Sequence, residues 1–337
     1  MPNSPLTAAD PRPARLSLGI TLGLGASLAF ATSGVFARPL FEVGWTPGAA
    51  VFWRVLIASA VMLPAALVMM RGRWRVILAE WRTIVAFGAL AVATAQLMFF
   101  AAVDRMDVGI ALLLEYMAPV LLVVVAWVRT RRRPVPLVTA GVVAAVAGLV
   151  CVLDLTGATP DPLGVLFALC AMVGAASYFV LSARPTPLPP LALAGLGLAV
   201  GAVVLGVAIL IGVLPYQAPL VPVTMLGATL PWWVPVAVVA LVAAALAYSL
   251  GVAGITLMGE RLSSFVSLSE VLFAVVLAAL LLGEVPSAVQ LVGGVLIVAG
   301  VVLVRLAAGR TPDVAPEPAL RQSGPSPLAS ESVVSRD

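Results

Sequence analysis

Three charged residues, Arg54, Glu115 and Glu270, fall inside long apolar runs of a 337-residue chain. An ionised group at the centre of a bilayer costs roughly 2.5–3.5 kcal/mol on insertion scales, so it usually faces a cavity, a partner or a cargo. A carboxylate in a dry cavity can take up a proton on one side and release it on the other, or hold a substrate ammonium. A guanidinium can grip a substrate carboxylate through two parallel N–H donors. Each residue also has a structural reading. A protonated Glu can bond a neighbouring helix, Arg54 can snorkel to the interface, and Arg54 can pair with Glu115. Ser33, Gln96, Tyr116, Ser177 and Tyr248 are the polar and aromatic residues that could complete a substrate site around the charges. A lone Ser in such a helix is more often satisfied by its own backbone.

What is missing excludes other chemistry. There is no His, and Cys151 and Cys170 are the only cysteines, so neither a zinc ligand set nor a Ser-His nucleophile can be assembled. All 19 basic residues are Arg. Without Lys no phosphate-binding P-loop exists, which excludes ATP-driven transport by this chain alone. The arginines do not cluster beside aromatics, so no nucleic-acid surface is expected. The chain reads as no enzyme, with no cofactor and no metal.

The elements that position these residues follow from composition. Only 10% of the chain is charged and 62% is hydrophobic. A soluble chain has about 25% and 45–50%. The expected fold class is an all-α polytopic membrane protein, since a span needs about 20 apolar residues. Ten spans are expected at 16–37, 48–70, 83–103, 108–128, 136–154, 162–183, 190–213, 232–256, 262–282 and 287–306. The first is too long for a signal peptide and reads as uncleaved. With the N-terminus inside, fourteen arginines flank the inner ends, against Arg38 and Arg105 outside. The positive-inside rule then puts both termini in the cytoplasm. Residues 1–15 and 309–337 are polar and Pro-rich and read as disordered tails. The Pro-rich stretch from Pro215 to Pro235, with Trp232-Trp233, belongs at the outer interface.

The sequence repeats. A shift of 152 pairs Pro134 with Pro286, Gly141 with Gly293, Gly148 with Gly300 and Gln96 with Tyr248. Near the start of each half the shift is 144 and pairs Ser33 with Ser177. Each half has five spans. An odd number makes the second half enter from the opposite side, giving two inverted five-helix repeats, the architecture of secondary transporters with a midplane site. Glu115 and Glu270 then approach the midplane from opposite faces, roughly 10–13 Å from their span entries at 1.5 Å per residue. Glycines seven apart in the fifth and tenth spans, and Gly19 and Gly23 in the first, permit close helix contact within the chain or in a homodimer.

Phe52-Trp53-Arg54, the run from Gly109 to Pro119 that contains Glu115-Tyr116, and Leu281-Leu282-Gly283-Glu284 carry a resemblance. Over about 16–306 the chain resembles the EamA branch of the drug/metabolite transporter superfamily. Its fourth span is similar to that of threonine/homoserine exporters, which implies an amino-acid-like substrate. Two positions depart from the family pattern. Glu270-Val271 stands where Glu-Pro is usual, and Arg131-Arg132 replaces the Gly-Glu that often follows the fourth span.

The resulting expectation is a secondary exporter of small polar metabolites such as amino acids, working by alternating access in a prokaryotic inner membrane. Its partners are a small-molecule substrate and the bilayer. Arg54, Glu115, Tyr116, Gln96, Tyr248, Ser33, Ser177 and Glu270 would bind substrate, and Glu115 would couple transport to protons. The competing readings are a drug or toxic-cation exporter built on the two carboxylates, and a structural membrane subunit.

Overall fold

The computed structural model describes residues 11–131, 134–153 and 161–308. The expected tails at 1–10 and 309–337 lie outside the described residues. Residues 11–15, expected to be disordered, instead open the first helix, Pro11–Glu42.

The spans that follow are Pro47–Met69, Trp81–Val103, Val108–Thr130, Pro136–Val152, Pro162–Ser182, Pro190–Leu210, Trp233–Gly259, Leu262–Leu282 and Ala288–Ala308. Nine of the ten are long and apolar enough to cross a bilayer. The fifth has 17 residues, the lower limit for a span. A Pro in the first turn of several spans removes a donor that would lack a partner there. Several of the connections are tight turns. Gly259, at φ +80°, joins the eighth span to the ninth in a conformation that a side chain would strain.

One element departs from the all-α expectation. In the Pro-rich stretch between the seventh and eighth spans, Val223–Met225 and Ala228–Leu230 pair as an antiparallel hairpin. This stretch is pinned to the start of the second span. Trp45 donates from Nε1 to the Pro219 carbonyl at 2.8 Å, and Trp53 donates to the Tyr216 hydroxyl at 3.0 Å.

The packing runs between the halves. The first span lies on the eighth, and the sixth lies on the third. Exchanging the two halves turns one contact into the other. The second packs on the seventh, the fourth on the ninth and the fifth on the tenth, and each of these pairs maps onto itself. The fifth–tenth contact is the closest. A Cβ on Gly141 would meet the Gly300 carbonyl at 2.7 Å, and one on Gly148 would meet the Gly293 carbonyl at 2.5 Å. Small residues let the backbones touch where lipid gives helices no hydrophobic reason to associate. Gly19 and Gly23 are also used within the chain, against Leu257, Met258 and Val266.

Candidate functional site

Two kinds of helix irregularity recur at matched places in the halves. The fourth span is two helices, Val108–Glu115 and Ala118–Thr130. Pro119 has no N–H to continue the ladder, so the break falls just before it. The ninth span breaks at Ser267-Leu268, between Val266 and Ser269, within one residue of the position 152 further on. It does so without the proline usual in the family. Ser267 Oγ donates to the Ser264 carbonyl at 3.0 Å and Ser269 Oγ to the Val266 carbonyl at 2.7 Å, so serine hydroxyls bond carbonyls freed at the break. The second irregularity is π-helical winding over Phe87–Thr94 in the third span and Val238–Leu246 in the eighth. Gln96 and Tyr248 each follow such a segment by two residues. Short π segments inside α-helices often mark functional sites.

These elements surround a cavity of about 540 Å³. Every span except the fifth and seventh contributes to its wall. Arg54 lines it and is only 5% exposed. Its Nη1 donates to Ser33 Oγ at 2.5 Å and its Nη2 to the Ala243 carbonyl, in the π segment, at 3.2 Å. The guanidinium lies 5.3 Å from the centre of the Phe100 ring. Its Nε has no hydrogen-bond partner, and neither has Oε1 of Gln96, which is 9% exposed. Both residues line the cavity. The proposed Arg54–Glu115 ion pair is not formed, because the ion pairs among the described residues lie elsewhere. Nor does Arg54 snorkel, since it is held inward by the first and eighth spans.

Glu115 ends the first half of the fourth span, and Glu270 opens the second half of the ninth. They are electrostatic neighbours across the cavity. Tyr116 connects the two breaks. Its hydroxyl lies 2.6 Å from Glu270 Oε2 and 3.1 Å from the Ser267 carbonyl.

Seven of the eight expected residues therefore share one wall: Ser33, Arg54, Gln96, Glu115, Tyr116, Tyr248 and Glu270. Ser177 does not line the cavity. Its hydroxyl is turned back to the Val173 carbonyl at 3.0 Å, the backbone bond open to any helical Ser. Tyr178, one residue on, faces the cavity instead.

Toward one end the wall continues to Ser182, Ser263 and Arg305, at the span ends where the arginines collect. The other end is tied shut. Arg38 donates from Nη1 to the carbonyls of Val103 and Met106, and its Nε lies 4.0 Å from Glu284. Glu284 Oε2 accepts from the Val108 N–H at 2.9 Å and so caps the fourth span. Gly283, at φ +73°, turns the end of the ninth span so that Glu284 can reach it. Burial and the nearby Asp107 and Glu42 push the Glu284 carboxyl above its ordinary value, and burial does the same to Asp104. Arg105 pairs with Asp161 at 2.8 Å on the same side and holds that carboxyl below its ordinary value.

The EamA-like transporter family model matches residues 17–154 and again 162–306. The chain belongs to the EamA-like transporter family. It is thus a multi-pass membrane protein of a transporter family, not an enzyme family, within the drug/metabolite transporter superfamily. A solved structure described only as "Crystal structure of protein" shares the fold. It is 22% identical, with a TM-score of 0.56 over 87% of this chain and 98% of its own. No curated protein sequence gives a match.

Within this EamA-like fold, sequence reasoning missed Arg305. An Arg near a span end reads as a topology signal, yet Arg305 lines the cavity and donates to Ser267 Oγ at 3.4 Å. The available signal was Ser267, the repeat partner of Glu115. The π segments left no signal, because apolar residues surround the helix there.

Proposed function

We propose that this chain is a secondary exporter of small polar metabolites, amino acids or their derivatives, in a prokaryotic inner membrane with both termini cytoplasmic. Alternating access by the two repeats around the cavity would move the cargo. One observation carries the substrate class. A buried N–H donor on Arg54 and a buried acceptor on Gln96 are both unpartnered and share one cavity. Buried polar groups are normally satisfied, so such a pair asks for a ligand that supplies an acceptor and a donor together. The carboxylate and ammonium of an amino acid supply both. Glu115 makes no hydrogen bond among the described residues, so it is free to take the ammonium or a proton, and this competition is our mechanism of coupling.

The test is counterflow of labelled amino acids in proteoliposomes. A hydrogen bond to a charged group is worth about 1.5–3 kcal/mol, so Arg54→Gln should weaken apparent affinity about 10- to 100-fold. Glu115→Gln should sharply reduce dependence on the pH gradient. Full transport by Arg54→Gln would sink the carboxylate assignment. A toxic-cation exporter is the second reading, favoured by two carboxylates among Phe30, Tyr178 and Tyr248. Competition by quaternary ammonium compounds but not by amino acids would select it.

A further inference from the structure

The hydroxyl of Tyr116 has one proton to give and two oxygen neighbours within hydrogen-bond distance. One neighbour, the Ser267 carbonyl at 3.1 Å, can only accept. The other is Oε2 of Glu270 at 2.6 Å. If Glu270 is ionised it too can only accept, and one of the two contacts sets oxygen lone pairs against each other. If Glu270 carries a proton, it donates to the Tyr116 oxygen while Tyr116 donates to Ser267. Both contacts then become full hydrogen bonds, and 2.6 Å is an ordinary O–H···O length. The second observation is the missing cation. Among the described residues no Arg lies within ion-pair distance of Glu270. An unpaired carboxylate at this depth has little to offset its desolvation.

We infer that Glu270 is a second proton site, occupied in the conformation described and closed by Tyr116 across the two helix breaks. The residues that face this group are Tyr116 and Glu115 from the fourth span, Arg54 from the second and Tyr248 from the eighth. Arg305 of the tenth span faces Tyr116 and Ser267 from the mouth side. Release follows when the ninth-span break parts from Tyr116. The Oε2–H bond of Glu270 is the only one broken, its proton passes to cavity water, and the electron pair stays on the carboxylate. Occupancy of the site is independent of the proposed cargo. Only the release step rests on alternating access.

The test is infrared difference spectroscopy on the full chain across a pH titration. At neutral pH the Glu115→Gln protein should show a carboxylic-acid C=O band that disappears when Glu270→Gln is added to it. Tyr116→Phe should shift the band without removing it, because the acid loses its hydrogen-bond acceptor. Glu270→Gln keeps an amide N–H for Tyr116 and so preserves the fold. Glu270→Asp is the second variant and should keep an acid band at a shifted position. Absence of the band in Glu115→Gln, or its survival in the double variant, would overturn the inference. In proteoliposomes net gradient-driven transport by Glu270→Gln should fall about tenfold. Gradient-driven transport left intact while the infrared result holds would count against the transport mechanism and leave the proton site standing.

Discussion

At the residue scale, the informative groups are the ones left unsatisfied. Gln96 has a buried carbonyl oxygen with no partner, which costs about 1–3 kcal/mol while the cavity is empty. Gln96→Leu should therefore leave the ligand-free thermal midpoint unchanged or higher, and should weaken cargo binding. A lower midpoint would mean that Gln96 holds the fold together. Arg54, Glu115 and Glu270 were legible in the sequence because a charge in an apolar run is conspicuous. The direction of Ser177 was not. One residue along a helix turns the side chain by about 100°, and repeat alignment carries no rotation at that precision. Tyr178 consequently takes the place that the alignment gave to Ser177.

At the element scale, the two helix breaks and the seal around Glu284 shape the site. Proline explains the break in the fourth span, and the hydroxyls of Ser267 and Ser269 bond the carbonyls freed at its counterpart in the ninth, which a search for proline alone overlooks. Glu284 ties the ninth span to the start of the fourth. Its carboxyl is raised in the sealed arrangement relative to an exposed carboxylate, so the sealed arrangement binds the proton more tightly. By linkage the seal is then strongest at low pH and weakens as pH rises through the raised value. The reactivity of a cysteine introduced by Met106→Cys, a buried position in the seal, should increase over that window. Glu284→Gln, which keeps an acceptor for Val108, should remove the pH dependence. Glu284→Ala should open the seal at every pH. Accessibility that rises as pH falls would contradict this sign. The fifth–tenth contact gives a sharper test of packing. Gly148→Leu places a side chain against the Gly293 backbone and should cost about 1–3 kcal/mol of stability in detergent unfolding.

At the scale of the whole molecule, the cavity reaches the arginine-rich ends and is closed at the other side. With Cys151 and Cys170 replaced, Ser182→Cys should react with an impermeant thiol reagent added from the cytoplasmic side. Reaction only from the outside would reverse the proposed orientation. The ten-span layout was legible because hydropathy reports length directly. The hairpin between the seventh and eighth spans was not, since Pro-rich outer segments carry little strand periodicity. The contact between the fifth and tenth spans has one more consequence. Exchanging the halves swaps Gly141–Gly300 with Gly148–Gly293, so this axle looks the same from either side of the membrane. Under the proposed alternating access, it stores no preference between the two access states, which are degenerate as far as it is concerned. Any preference must come from places where the halves differ. Arg38 and Glu284 are such a place, because their counterparts in sequence are Ser182 and Arg132 and cannot form the same tie. The resting direction in which this protein faces is thus written in the mismatches between its halves.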